Sequence, residues 1–218
     1  MKVLVVGATG ATGQAIVREL QSRSIPLRAL VRDPAKAQTL LGAGVEIVPG
    51  NVLDRYLLVD AIGDADRIIC ATGARPSLNI FAPLQVDYLG TKNLVKAAQT
   101  KNIQHFVIVS SLLTSVFFHP LNLFWLVLFW KKQAEQYIIN SGLTYTIVRP
   151  GGLTNTPTSD PLVMAKADTL SSGRIPRSVV AQVCVEALFI PAAQNKIVEI
   201  ITSPQAPSLP IAELFLQV

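Results

Sequence analysis

Residues 3–13 read Val-Leu-Val-Val-Gly-Ala-Thr-Gly-Ala-Thr-Gly. Val3 to Val6 is a short, wholly apolar run, the pattern of a strand buried on both faces. Gly7, Gly10 and Gly13 follow at three-residue spacing and open an amphipathic helix expected from about Thr12 to Ser22. In that setting each glycine has a task. Gly7 permits the tight strand-to-helix turn, Gly10 lets backbone approach a pyrophosphate with no Cβ in the way, and Gly13 lets helix and strand pack closely. Thr9, Ala11 and Thr12 complete the turn, and free N–H groups at the helix start face the anion. The position of the glycines between strand and helix predicts a dinucleotide-binding site rather than an ordinary glycine-rich turn.

Outward from this turn, apolar runs alternate with helical patterns. Strands are expected at Leu27 to Val31, Val45 to Val48, Arg67 to Ala71, Phe106 to Val109 and Thr144 to Val148. Helices are expected around Ala35 to Leu41, Val86 to Thr100 and Phe129 to Asn140. Six short strands with crossover helices predict a doubly wound parallel sheet, a single Rossmann domain over residues 1–218. Residues 150–218 read as a reduced extension, not a full substrate domain: a loop from Thr154 to Ser172, a helix from Ser178 to Leu188, a strand at Val198 to Thr202 and a short helix near Ile211.

Half of the 218 residues are apolar and 15% are charged, which fits a sheet covered on both faces and argues against disorder. The net charge of +5 comes from scattered Lys and Arg, so the reading is a solvated surface and no nucleic-acid partner. Cys70 and Cys184 lie in separate apolar runs without metal-ligand spacing; they read as core residues, with no metal site and a reducing, cytoplasmic setting. The chain begins Met1-Lys2 and runs straight into a strand, with no signal-peptide pattern. Leu112 to Trp130 is the one membrane-like stretch, and Thr114, Ser115, His119, Pro120 and Asn122 interrupt it too often for a spanning helix.

The carboxyl ends of the strands supply the remaining cofactor candidates. The second strand ends at Val31-Arg32-Asp33, where an NAD-specific site would place a carboxylate on the ribose hydroxyls. Arg32 stands there instead, and a guanidinium accepts a 2′-phosphate through paired, charge-assisted hydrogen bonds, so the expected cofactor is NADP(H). Asp33 reads as a turn or helix-start residue. Asn51 and Val52 follow the third strand and are expected beside the adenine; Ala71, Thr72 and Gly73, with Ala74 and Arg75, follow the fourth and are expected under the ribose and pyrophosphate.

Several segments in order are similar to the atypical short-chain dehydrogenase/reductases of the NmrA-like and flavin/biliverdin-reductase-like group. They are Gly7 to Gly13, Val31 to Asp33, Asp87 to Leu94 (DYLGTKNL), Val109 to Ser111, Lys131 to Glu135 (KKQAE) and Tyr145 to Gly151 (YTIVRPG). Leu121 to Trp125 (LNLFW), Trp130 to Lys132 and Arg149 to Gly152 resemble more closely the dehydrogenase-like domain of a chloroplast inner-envelope import component and its cyanobacterial relatives, which implies a photosynthetic source. The resemblance implies a serine at the end of the fifth strand, where Ser110 and Ser111 stand and Ser111 is the closer match. It also implies a Tyr-x-x-x-Lys helix, whose lysine is Lys131 and holds the nicotinamide ribose, and it places Pro150 and Gly151 where the backbone passes the nicotinamide.

Val127 occupies the tyrosine position. Valine cannot protonate a carbonyl substrate, so the expectation is reduction of a flat or conjugated acceptor such as a flavin, quinone or tetrapyrrole, with Ser111 and Lys131 as catalytic candidates. The alternative is a non-catalytic NADP(H)-sensing or scaffolding protein with a protein partner. His119 is a second candidate acid, with a plain loop histidine as the blander reading, and His105 reads as structural. Tyr137 and Tyr145 lie too far along the chain to replace the missing acid. Arg149 reads as a core ion-pair residue in preference to a substrate ligand, and Asn93 reads equally as an orienter of backbone near the site or as a surface residue. The aromatic run 116–130 leaves three readings open: a wall for a flat substrate, a protein interface, or a surface resting on a membrane.

Overall fold

The computed structural model describes residues 1–73, 79–116, 122 and 126–218. Seven parallel strands form the frame, in the order β3 (Glu46–Pro49), β2 (Leu27–Val31), β1 (Val3–Val6), β4 (Arg67–Cys70), β5 (His105–Val109), β6 (Tyr145–Pro150) and β10 (Lys196–Thr202). The chain starts in the middle, winds outward to β3, returns, and winds the other way from β4. That reversal opens a crevice at the carboxyl ends of β1 and β4, where Rossmann sheets bind nucleotides. Beyond β6 the sheet turns mixed: β8 (Leu162–Lys166) and β9 (Arg174–Pro176) run antiparallel to β10, and β7 (Gly152–Thr154) pairs with β9.

Alternation along each strand feeds two cores. In β1, Val3 and Val5 face the layer that holds α1 (Ala11–Ser22) and α6 (Arg177–Ala187), whereas Leu4 and Val6 face the layer of α3 (Arg55–Ile62) and α4 (Gly90–Thr100). α2 (Pro34–Leu41) and α7 (Ile211–Gln217) join the first layer, and α5 (Val127–Ile139) joins the second. Cys70 and Cys184 are free thiols buried in these cores.

Three differences from the sequence expectation have physical causes. The loop expected over 154–172 contains β8, whose pairing partner β10 is about thirty residues downstream and leaves no local signature. α3 fills what read as connector; Asp54 caps it by accepting from Tyr56 and Leu57 N–H, and Leu58, Ala61 and Ile62 are its buried stripe. The helix expected from Val86 begins instead at Leu84 with a π-helical segment to Leu89. Such wide turns concentrate at functional sites, and this one carries Asp87 to the crevice.

Candidate functional site

The turn after β1 is built as its glycines require. Gly7 has a φ of +84°, and a Cβ there would approach the Ala71 carbonyl oxygen to 2.7 Å. A Cβ on Gly13 would collide with the Gly7 carbonyl, so helix α1 lies directly on the turn. At Gly10 the nearest such contact is 3.3 Å, and no side chain caps α1 there, which leaves its first N–H groups directed at the crevice mouth.

The crevice has a volume of about 360 Å³. Gly7, Thr9 and Gly10 form its floor; Arg32, Asn51 and Val52 line the β2 and β3 side, and Ala71, Thr72 and Gly73 line the β4 side. Ala11, Thr12 and Gly13 sit behind it in the first turn of α1. Pro150 and Gly151 lie at the end of β6, two strands away from β4 and outside this cavity. Arg32 is exposed, and no ion pair engages it among the described residues. Asp33 does not face the crevice as a ligand; its carboxylate caps α2 by accepting from the Lys36 N–H at 3.0 Å. Asn93 donates to the Val52 and Leu53 carbonyls at 3.2 and 3.4 Å and so braces the loop after β3. Gln85, carried by the π-helical segment, and Asn79, which precedes it, also line the crevice, and neither has a local sequence signature. Glycine spacing, helix-start N–H groups, a cation at the end of β2 and the volume together fit a dinucleotide.

Beside Gly73 the crevice meets a charged cluster. Lys131 Nζ stands 2.8 Å from Asp87 Oδ1, with that carboxylate almost wholly buried, and a Cβ on Gly73 would lie 3.8 Å from both groups. Burial opposes the Lys131 charge, but Asp87 outweighs it, and the ammonium is held above its ordinary 10.5. Ser110, directly after β5, is buried and donates to Glu135 Oε1 at 2.6 Å; Ser111 is half-buried next to it. Glu135 also receives Arg149 in a paired arrangement, Nε at 3.0 Å and Nη2 at 2.7 Å. Arg149 reaches on to Asp168 at 2.7 Å and Glu199 at 3.3 Å, and Glu199 accepts the N–H groups of Asp168, Thr169 and Leu170. Arg149, with no exposed surface, is therefore a core ion-pair residue.

Val127 opens α5 one turn before Lys131, and no hydroxyl stands there. His105 is structural: its ring bonds the Thr146 hydroxyl at 2.9 Å inside the sheet. His119 and most of the aromatic run lie outside the described residues. Of that run, Trp130 lies tilted against Tyr88 of the π-helical segment with ring centres 5.9 Å apart and meets Phe129 edge-on at 5.0 Å. No helix among the described residues is long and apolar enough to cross a membrane.

Residues 7–191 match the NAD(P)H-binding family. The chain belongs to that family. Over its full length it is 44% identical to an uncharacterized chloroplastic protein of Arabidopsis thaliana, of which it covers 82%. It is 36% identical to protein TIC 62, chloroplastic, of Pisum sativum, with 99% of this chain aligned but only 46% of that longer protein. Sanguinarine reductase of Eschscholzia californica is 33% identical, over 94% of this chain and 90% of the relative. A Bacillus halodurans structure assigned as an NAD-dependent epimerase/dehydratase superposes with a TM-score of 0.88 at 28% identity, each chain covered completely. The member described here is thus an NAD(P)H-binding protein of the atypical short-chain dehydrogenase/reductase type, with plastid-like relatives.

Proposed function

We propose that this NAD(P)H-binding protein prefers NADPH and reduces a flat, conjugated acceptor, of the flavin, quinone or tetrapyrrole class, without a tyrosine acid. The observation that carries the reading is the Lys131 ammonium held beside Gly73 at the crevice by a buried carboxylate, while the position one turn earlier is Val127. NADPH supplies a hydride when bound; the chain's own residues bind, orient and supply charge. Gly7, Thr9, Gly10, Ala11, Thr12 and Gly13 would hold the pyrophosphate, with Asn51 and Val52 beside the adenine and Ala71, Thr72 and Gly73 beneath the ribose. Arg32 would take the 2′-phosphate. Lys131 would hold the nicotinamide ribose, Pro150 and Gly151 would bound the nicotinamide, and Ser111 would orient acceptor or ring. A hydride acceptor with a delocalised anion needs no strong acid at the moment of transfer, which is why the missing tyrosine is tolerable.

A second reading has one observation in its favour, the same Val127. In that reading the protein binds NADP(H) and reports its redox state to a protein partner. NADPH oxidation by the purified protein with flavin, quinone and tetrapyrrole acceptors separates the two. Turnover that falls at least tenfold in Lys131→Ala and Ser111→Ala supports the reductase. NADPH binding with no acceptor-dependent oxidation overturns it, and partner capture that differs between NADP and NADPH then favours the sensor.

A further inference from the structure

The turn after β1 is held by more than its glycines. Gly10 N–H donates to the Gly7 carbonyl at 3.0 Å, which closes residues 7–10 into a tight turn and fixes the nitrogen end of the Thr9–Gly10 peptide. The carbonyl end of the same peptide is held by a side chain. Gln14, the residue after the third glycine, is half-buried in α1 and reaches back toward the helix start, where its Nε2 donates to the Thr9 carbonyl at 3.1 Å. A capping box also sends a Glu or Gln back to the N-terminus, but there the side chain accepts from an N–H. Here it donates to a carbonyl, and the helix-start N–H groups keep no side-chain cap. Thr9 lines the crevice, whereas Gln14 is not among the lining residues.

We propose that Gln14 is a positioning residue for the dinucleotide: it acts through Thr9 to pre-form the pyrophosphate cradle without touching the cofactor. With both ends tied, the Thr9–Gly10 peptide has one orientation, and so do the N–H groups of Ala11 and Thr12 that follow it. Those groups have no partner inside the helix and are available to an anion. Released at its carbonyl, the peptide would be held through Gly10 alone, a residue whose missing Cβ permits other backbone angles. A free Thr9 carbonyl at the crevice floor would also turn its negative end loose beside the phosphates. Preorganisation of this kind is read as affinity, because the turn need not be ordered at the moment of binding. NADPH and NADH both carry the pyrophosphate, so the contribution is the same for each, in contrast to the discrimination assigned to Arg32.

Gln14→Met tests the role, since methionine matches glutamine in length and helix propensity and cannot donate. Gln14→Lys retains a donor within reach. Fluorescence titration is expected to show NADPH and NADH each weakened about three- to tenfold in Gln14→Met, the worth of one neutral hydrogen bond, with the melting temperature of the unliganded protein unchanged. Amide hydrogen exchange of the unliganded protein, followed by NMR, is expected to quicken at Gly10 in Gln14→Met and to return to the wild-type rate in Gln14→Lys, while the amides of α1 from Ala15 onward keep theirs. For the lysine variant the Gly10 amide is the readout, because the added charge attracts phosphate by itself. Unchanged affinity for both cofactors overturns the proposal. A loss confined to NADPH places the effect at the 2′-phosphate and overturns it too, as does faster exchange throughout α1, the mark of a residue that merely stabilises the helix. The outcome does not depend on an acceptor: if the protein binds both cofactors and oxidises neither, the reductase reading falls and the role of Gln14 stands on the titrations.

Discussion

Arg32 bears the choice between two cofactors that differ by one phosphate. It is exposed at the end of β2 and lines the crevice. A hydrogen-bonded charge pair of this kind is worth roughly ten- to a hundredfold in affinity. Arg32→Ala is expected to weaken NADPH by about that factor and NADH by less than threefold, as titration of protein fluorescence would show; equal losses would remove the argument for the phosphate. His105 sets a different residue-scale expectation, on stability. Thr146 donates its hydroxyl proton to the Ala193 carbonyl at 2.7 Å, so it accepts from the His105 Nε2–H. Burial, with help from Arg67, lowers the ring from its ordinary 6.5 to about 4. The folded state refuses a proton that the unfolded chain binds below pH 6.5, so this contribution is complete above that value and is lost as pH falls toward 4. In urea unfolding compared at pH 7 and pH 4.5, His105→Gln should lose roughly 1–2 kcal/mol less than the wild type.

At the scale of elements, what could be read in the sequence was what local chemistry alone dictates. Six of the parallel strands are short, mostly apolar runs, interrupted by single polar residues such as Arg28 and Thr146, and the β1 turn announces itself through glycines, of which Gly7 and Gly13 leave no room for a Cβ. β8 escaped because it is a strand only through β10, and the Lys131–Asp87 and Ser110–Glu135 pairs escaped because each joins residues 25 or more positions apart across a π-helical turn or a sheet edge. The start of α5 shows the same non-local logic. Leu126, before it, adopts φ +57° and gives no side-chain cap; Asn122 reaches forward instead, its Oδ1 accepting from Leu128 and Phe129 N–H at 3.0 and 3.2 Å. Because this cap fixes the helix that carries Lys131, Asn122→Ala should cost about 1–2 kcal/mol in thermal or urea unfolding and weaken NADPH binding as the first turn frays.

For the whole molecule, Arg149 is the node at which independently placed parts are joined. Through Glu135 it ties α5 to β6, through Glu199 it reaches β10, and through Asp168 it holds the loop that follows β8. Burial opposes its charge, yet Glu135 and Asp168 outweigh that and raise its pKa further. Arg149→Leu would strand two buried carboxylates, and breaking such a cluster typically costs about 3–5 kcal/mol. The expected result is a large loss in urea midpoint, in contrast to a surface Lys96→Ala control that changes little.

The mixed rim beyond β10 has a colloidal consequence. A long, uncovered border strand invites a second chain to add its own, and sheets of this width are exposed to that hazard. Here one border is β3, four residues ending in Pro49, which lacks an N–H to offer. The opposite margin is split between β7, three residues long and begun by Gly152, and β8, five residues long and paired with β10 alone among the described strands. Both margins are too short, and on the β3 side too poor in donors, to template an intruder, so the parallel frame should stay dispersed at high concentration even when its crevice is empty.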